Sequence, residues 1–289
     1  MGIYIGIDIG GTKMMVAAVS PNFGPGHTAL GGRRKAPTPA DPDAAQACLE
    51  AMIAEVAGDE EIIGIGCAIG GPIDLVAGTV SPLNMPRWRG IPMKKRMEDR
   101  YGCPFYFGVD TDAAAVAEYY LAGLDVRRFL YVTISTGVGG GFLLEGQVYR
   151  GLAGSHPEVG HQSIAFKVRH PERVHCGCGL NDCLEALVSG SGIERIYGVP
   201  ARALDQEAWD EVAYNLAQGL RNMITMLAPD LIVLGGGVTT GGGRFFLDKT
   251  YAHLAEIVTL VPVPEIRISE LGYDTALLGA AYLARGPRS

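Results

Sequence analysis

The stretch Tyr4-Ile5-Gly6-Ile7-Asp8-Ile9-Gly10-Gly11-Thr12-Lys13-Met14-Met15-Val16-Ala17-Ala18-Val19 determines how this sequence is interpreted. An apolar strand runs into a glycine turn and a second apolar strand follows, which predicts a β-hairpin. Glycine lets the backbone approach an anion closely, and the turn amides can bind it. Thr12 adds a hydroxyl, and Asp8 can reach a metal ion or its water shell. The alternative is an ordinary tight turn with a solvated Lys13.

The same pattern returns at Phe129–Leu144, where the turn reads Ser135-Thr136-Gly137-Val138-Gly139-Gly140-Gly141. A third apolar strand, Leu231–Leu234, ends in another glycine turn. This recurrence favours phosphate or nucleoside binding over an ordinary turn. Neither hairpin matches the P-loop or the dinucleotide fingerprint, because both lead into strands. The residues expected to contact a nucleotide are Asp8, Gly10, Gly11, Thr12, Lys13, Thr136, Gly137, Gly235, Gly236 and Gly237.

The repeat also predicts the architecture. Aligning Ile7 with Ile134 places the two hairpins 127 residues apart, close to half of the 289-residue chain. We therefore expect two structurally related α/β lobes, each opening with a hairpin. The elements expected around the hairpins are helices over 43–57, 112–121, 207–227 and 275–284 and strands over 62–69 and 105–107, with a frayed tail over 285–289.

Composition excludes several classes of protein. With 48% hydrophobic residues the chain can bury a large core or two modest ones. Its 24 Lys+Arg against 31 Asp+Glu, a net charge of −7, disfavour a nucleic-acid binder. No apolar run reaches membrane-spanning length, and the N-terminus lacks a secretory signal pattern. We therefore expect a cytoplasmic protein without nucleic-acid or membrane partners.

Three of the six cysteines, Cys176, Cys178 and Cys183, fall within eight residues, which is typical of metal ligands. His161 upstream can complete a tetrahedral zinc site, and His175 is the rival fourth ligand. With four protein ligands the site has no open position, so such a zinc would be structural. Reduced surface thiols are the alternative.

Acid–base chemistry needs a carboxylate on a rigid support. Asp110 follows the strand 105–107 and precedes an Ala-rich helix, which suits this role. Asp112 is the competitor, although it is also well suited to cap the helix. Glu158 and His161 form a second polar cluster, and an ordinary loop is the alternative interpretation of it.

These residues resemble the ROK family (repressor, open reading frame, kinase) over nearly the whole chain. The turns at 8–13 and 135–141 are similar to its two phosphate loops, and Glu158-Val159-Gly160-His161 to its Glu-x-Gly-His motif. Residues 176–185 fit its zinc motif Cys-x-Cys-Gly-x-x-Gly-Cys-x-Glu, with Asp182 in place of the usual Gly. Asp110 matches the catalytic aspartate of the family's Asn-Asp-Ala-Asn motif. Val109 and Asp112 replace its two asparagines, which puts the identity of the sugar in doubt.

The resemblance implies an actin-like, ribonuclease-H-like fold with an interlobe cleft. We expect a smaller lobe formed by 1–108 plus 272–289, and a larger lobe formed by 109–271 that contains the zinc loop. The implied activity is ATP- and Mg²⁺-dependent phosphorylation of a hexose of the glucose, fructose or mannose type, with Asp110 as base, by a homodimer or higher oligomer. The expected sugar contacts are Gly71, Asn84, Asp110, Glu158, His161 and Glu185, and the implied zinc ligands are His161, Cys176, Cys178 and Cys183.

Three alternatives stay open: a kinase for an N-acylated hexosamine, a sugar-sensing transcriptional regulator of the same family, and an actin-like or chaperone ATPase. The regulators carry an additional helix-turn-helix module, whereas here the first phosphate loop begins within ten residues of Met1. A chaperone ATPase has no use for the Glu-x-Gly-His and cysteine motifs. Because the glycine turns and the cysteine loop are separate segments, we expect loss of a cysteine to weaken sugar binding and spare ATP binding.

Overall fold

A computed structural model describes residues 2–286 and divides the chain into two compact units of nearly equal length. Unit 1 comprises the residues up to Leu124, Leu152–Gly154 and the residues from Asp274 onward. Unit 2 comprises Asp125–Gly151 and Ser155–Tyr273. The first boundary therefore lies after residue 124 rather than after residue 108, because the helix that begins at Asp110 packs against the last helix of the chain.

Unit 1 is built on a five-stranded mixed sheet. Its strands in chain order are β1 (Ile3–Ile9), β2 (Lys13–Val19), β3 (Arg33–Pro37), β4 (Ile62–Ile69), the separate short pair β5 (Ile73–Asp74) and β6 (Thr79–Val80), and β7 (Phe105–Val109). The sheet order is β3-β2-β1-β4-β7. β2 is antiparallel to both β1 and β3, and β4 is parallel to both β1 and β7. Its first three helices are α1 (Pro42–Ala57), between β3 and β4, α2 (Met93–Tyr101), between β6 and β7, and α3 (Asp110–Leu121), after β7.

Unit 2 repeats this arrangement. Its strands are β8 (Arg128–Ile134), β9 (Val138–Leu144), β10 (Gln147–Val148), β11 (Leu231–Gly235) and β12 (Glu265–Ile268), in the order β10-β9-β8-β11-β12. Its helices are α4 (Leu184–Val188), α5 (Gly190–Tyr197), α6 (Gln206–Leu227) and α7 (Gly237–Ile257). The final helix, α8 (Thr275–Leu283), belongs to unit 1.

Both sheets have the same topology, which confirms the predicted repeat. In each unit an antiparallel hairpin, β1–β2 or β8–β9, is extended on one side by an antiparallel strand and on the other by two parallel strands. Each hairpin is closed by one of the two predicted glycine turns.

Each unit buries its own apolar core. In unit 1, apolar side chains of β1 such as Ile5 and Ile7 pack with Leu49 and Ile53 of α1. The start of α1 is fixed by Asp41, whose carboxylate accepts hydrogen bonds from the amides of Asp43 and Ala44. In unit 2 the core is formed mainly by β8, β11, α6 and α7, and Leu130, Val132, Leu216 and Leu220 are fully buried there.

The structure differs from the expectations at several elements and at the tail. α3 begins at Asp110, two residues earlier than expected. Not predicted were the helices α2, α4, α5 and α7 and the strands β3, β5, β6, β10 and β12. Residues 287–289 of the expected frayed tail lie outside the described residues, whereas Arg285 donates to the Phe23 carbonyl at 2.5 Å. Between residues 2 and 286, no helix is both long and apolar enough to span a membrane.

Candidate active site and metal centre

The predicted site residues of unit 1 lie where three parallel strands end in register. Ile9 at the end of β1 pairs with Ile69 of β4, which in turn pairs with Val109 of β7. The chain segments that leave these strands are the first glycine turn, the Gly70-Gly71 segment and the first turn of α3. Ligands of open α/β sheets bind at this kind of edge.

The first glycine turn is held by backbone contacts. The Gly10 amide donates to the Lys13 carbonyl at 2.9 Å, and the Thr38 hydroxyl and amide donate to the carbonyls of Gly10 and Thr12 at 2.6 and 3.1 Å. A Cβ added to Gly11 would lie 2.8 Å from Asn84 Nδ2. The structure thus brings two predicted groups together, the phosphate turn and the sugar contact Asn84. The exposed side chains of Thr12 and Lys13 leave the turn accessible.

Gly71 lies beside the same group. The Leu83 amide donates to the Gly71 carbonyl at 2.9 Å, which anchors the segment that contains Asn84. A Cβ on Gly71 would lie 3.8 Å from Val109 Cγ2, in ordinary van der Waals contact. Gly71, Asn84 and Val109 therefore cluster at the same edge of the sheet as the turn.

Asp8 is a carboxylate with a strongly raised pKa. Its pKa is raised from 3.8 to about 7, chiefly by burial and then by the nearby charges of Asp110 and Asp274, while Lys13 acts in the opposite sense. Carboxylates gathered in this way are matched to a cation. Asp274 was not among the predicted site residues; it precedes α8 and forms an ion pair with Arg33 at 2.5 Å. An acidic residue just before an apolar helix was the available signal.

Asp110 and Asp112 both lie in the first turn of α3, where the partial positive charge of the helix N-terminus favours carboxylates. Asp110 Oδ1 accepts a hydrogen bond from the Thr111 amide at 2.8 Å, which restricts its rotamer. Asp112 is only 2% exposed, whereas Asp110 is partly exposed. Asp110 is therefore the more accessible of the two carboxylates.

In unit 2 the second and third glycine turns adjoin each other. Gly236 has φ 88°, and a Cβ there would overlap the Ile134 backbone at the end of β8. The second turn begins at the next residue, Ser135, whose carbonyl accepts from the Gly190 amide at 2.6 Å. The Ser191 hydroxyl donates to the Thr136 carbonyl at 2.6 Å. The predicted nucleotide contacts of this unit therefore lie at one edge of its sheet, with Thr136 exposed.

The structure also brings together one histidine and three cysteines. The ligand atoms of His161, Cys176, Cys178 and Cys183 all lie within 4.8 Å of one another. Cys176 Sγ is 3.4 Å from His161 Nδ1, and Cys178 Sγ is 3.4 Å from Cys183 Sγ. Ligands about 2.0–2.3 Å from a tetrahedral zinc are separated by similar distances, so the four groups fit that ion. The rival ligand His175 is exposed and lies outside this cluster.

The cysteine thiols of this cluster differ in acidity. A backbone hydrogen bond from Leu180, together with the neighbouring cysteines, lowers the pKa of Cys178 to about 7. Burial raises the pKa of Cys176 and brings that of Cys183 to about 12. Cation binding favours the thiolate form of all three.

The two predicted sugar-binding glutamates have different surroundings. Glu158 is 65% exposed, and its Oε1 lies 3.4 Å from His156 Nε2; this hydrogen bond lowers the pKa of Glu158. Glu185 Oε2 instead accepts a hydrogen bond from the Val138 amide at 2.9 Å. Its other oxygen, Oε1, lies 3.8 Å from Cys176 Sγ. The structure thus places Glu185 against both the second glycine turn and the cysteine cluster.

Comparison with known proteins matches residues 4–286 to the sequence model of the ROK family. An N-acetylmannosamine kinase from Citrobacter koseri is 30% identical, the match covering 98% of this chain and 99% of the relative. The crystal structure of a ROK hexokinase from Thermus thermophilus is similar with a TM-score of 0.80 at 30% identity, covering 98% of both chains. A ROK family glucokinase from Streptomyces griseus, solved with glucose and AMPPNP, has a TM-score of 0.80 at 26% identity, covering 99% of this chain and 100% of the other.

Proposed function

This chain belongs to the ROK family, and we propose that it transfers the γ-phosphoryl group of ATP to the primary hydroxyl of a hexose, giving a hexose 6-phosphate. It is an ATP-dependent carbohydrate kinase. The observation that carries the proposal is the partly exposed Asp110 at a strand end, in the same group as Asp8 and the first glycine turn.

Asp110 is the general base in this proposal. Its carboxylate accepts the proton of the hydroxyl as the sugar oxygen attacks the γ-phosphorus. The new O–P bond forms while the bond from the γ-phosphorus to the bridging oxygen breaks, and ADP leaves with that electron pair. The Thr111 amide holds the carboxylate in one orientation during this step.

The glycine turns position the phosphates. Turn amides and the hydroxyls of Thr12 and Thr136 bind phosphate oxygens, Lys13 adds a positive charge, and the third turn, Gly235–Gly237, contacts the nucleotide. Asp8 would hold Mg²⁺ through water, and the ion would offset charge on the phosphate oxygens.

The proposed sugar contacts are Gly71, Asn84, Glu158, His161 and Glu185. Carboxylates accept strong, charge-assisted hydrogen bonds from hydroxyls, which suits recognition of a polyol. Substrates of the glucose, fructose and mannose type fit this chemistry. An N-acylated hexosamine is the second candidate, because the Citrobacter koseri relative is named an N-acetylmannosamine kinase.

The cysteine cluster would hold a structural zinc ion, with His161, Cys176, Cys178 and Cys183 as its four ligands. The ion would fix the two segments that carry His161 and Glu185. Metal analysis of protein purified without chelator is expected to give about one zinc per chain.

A panel of sugars supplied with ATP and Mg²⁺, with ADP release as the readout, tests the proposal. We expect one hexose or N-acylated hexosamine to give turnover, and phosphorus NMR of the product to show a phosphomonoester on the primary carbon. The absence of sugar-dependent ADP release across the panel would contradict the proposal.

A further inference from the structure

Glu185 contacts the second glycine turn directly. Its Oε2 accepts the Val138 amide at 2.9 Å, where β9 leaves the turn, and would lie 2.7 Å from a Cβ added to Gly137. The carboxylate therefore lies directly against the turn, and a side chain at residue 137 would displace it. A charged acceptor makes this hydrogen bond stronger than one between neutral groups.

The turn also rests on the segment that ends in His161. A Cβ on Gly160 would overlap the Val138 carbonyl oxygen, and a Cβ on Gly140 would lie 2.8 Å from Val159 Cγ2. Gly160 directly precedes the cluster ligand His161, and Glu185 lies two positions after the ligand Cys183. Both residues therefore support the start of β9 at Val138. All of these residues belong to unit 2.

Hydrogen bonds join the segment around His161 to the segment around Cys183 and Glu185. The Leu184 amide donates to the Gln162 carbonyl at 3.0 Å, and Cys183 Sγ lies 3.6 Å from the His161 carbonyl oxygen. The Ser189 amide donates to the Glu185 carbonyl at 3.2 Å, and the next residue, Gly190, donates to Ser135 at the start of the turn. The segments that carry the cluster ligands therefore contact the turn at both of its ends.

We propose that Glu185 is a positioning residue for the nucleotide as well as a sugar contact, and that it couples the cysteine cluster to nucleotide binding at the second glycine turn. This inference rests on the proposed function, since it takes the turn to bind the phosphates of ATP. It replaces the expectation that the cysteine loop serves the sugar site alone.

The test compares Mg²⁺·AMPPNP binding by calorimetry in the wild type, Glu185→Ala and Glu185→Gln. Alanine removes the acceptor of the Val138 amide, and we expect about tenfold weaker binding, the usual effect of losing a hydrogen bond to a charged group. Glutamine keeps a neutral carbonyl oxygen at the same place and is expected to weaken AMPPNP binding less than alanine does. Glu158→Ala is the matched control, because its carboxylate is exposed and bonded to His156; it should weaken sugar binding alone.

Amide hydrogen exchange of the peptide covering Ser135–Gly141 supplies a readout that needs neither ligand nor activity. In Glu185→Ala this peptide should exchange faster than in the wild type, while in Glu158→Ala it should not change. If Glu185→Ala does not fold, Glu185→Asp decides the matter, because its shorter side chain withdraws the carboxylate from Val138 and is expected to weaken AMPPNP binding.

Two negative results have different meanings. A wild type that binds no Mg²⁺·AMPPNP overturns the proposed function and this inference with it. A wild type that binds AMPPNP, together with a folded Glu185→Ala that binds it equally well and shows unchanged exchange in the turn, overturns this inference alone.

Discussion

Asp8 is held as a carboxylate in surroundings that oppose its charge, with its pKa raised to about 7 by burial, Asp110 and Asp274. An acid whose pKa is higher in the folded than in the unfolded state binds more protons when folded, so its ionisation destabilises the fold as the pH rises from about 4 to about 7. Above that range this difference in pKa corresponds to a cost on the order of 4 kcal/mol. This cost is consistent with a site organised around a cation.

Asp8→Asn should therefore raise the free energy of unfolding at pH 8 by a few kcal/mol, on the order of the linkage value, with a smaller gain at pH 5. Urea denaturation of the two proteins at both pH values, without added magnesium or nucleotide, measures the difference. Asp59→Asn, at an exposed position, is the control for loss of a charge. A variant no more stable than the wild type at pH 8 would contradict the account of Asp8.

Asp110→Asn tests the assignment of the base. The asparagine side chain can still accept the hydrogen bond from the Thr111 amide, so the fold and the nucleotide affinity should be kept. The value of kcat should fall by roughly two to four orders of magnitude. Steady-state ADP release with a saturating sugar, alongside AMPPNP titration, separates the two effects. Turnover close to that of the wild type would shift the role of base to Asp112.

At the scale of elements, α8 packs against α3 and against β1 and β4 at close range. The approach depends on glycine, because a Cβ on Gly279 would overlap the Ala113 carbonyl oxygen of α3 and one on Gly66 would overlap the backbone of α8. Such overlaps involve backbone atoms, which cannot turn aside as the end of a side chain can.

Gly279→Ala is expected to lower the free energy of unfolding by about 1–3 kcal/mol or more, since it overpacks the contact between the two helices. Gly241→Ala is the matched control in α7: a Cβ there meets no atom within 4 Å, so alanine should stabilise the helix by up to about 1 kcal/mol. Denaturant midpoints of the two variants should move in opposite directions. Equal midpoints would mean that α8 can shift away from α3.

The helices and strands show how much of the fold the sequence could predict. Strand, glycine turn and strand are adjacent in the chain, so both hairpins were predicted from local pattern alone. α7 was missed because Gly237, Gly241, Gly242 and Gly243 lie in its first seven residues and disfavour a helix. Packing overrides that preference: Trp209 of α6 lies 5.0 Å from Phe246 of α7 between ring centroids.

In the candidate site, local sequence pattern could not predict the contacts between residues that lie far apart in the chain. Asp274 lies 266 residues beyond Asp8 in sequence, and Glu185 lies 47 residues beyond Val138, yet both pairs interact. Side-chain direction and the path of the intervening chain decide such contacts, and neither is visible in motif spacing. The three cysteines of the cluster were predictable because their spacing is local. The choice of His161 over His175 came from the resemblance to the family motif, and the structure brings His161 to the cysteines.

The two units have separate apolar cores, and all four cluster ligands lie in unit 2. Removing the metal should therefore loosen unit 2 first, because binding free energy at a structural site contributes to the stability of the segments it joins. After bound zinc has been measured, chelation should speed amide exchange in peptides covering 156–191 and 135–141, and leave unit 1 peptides covering β1, β4 and α3 unchanged. Mass spectrometry of the digested protein resolves these regions. Equal acceleration in both units would mean that the metal stabilises the chain as one cooperative whole, and no change anywhere would mean that the bound metal does not stabilise the cluster segments.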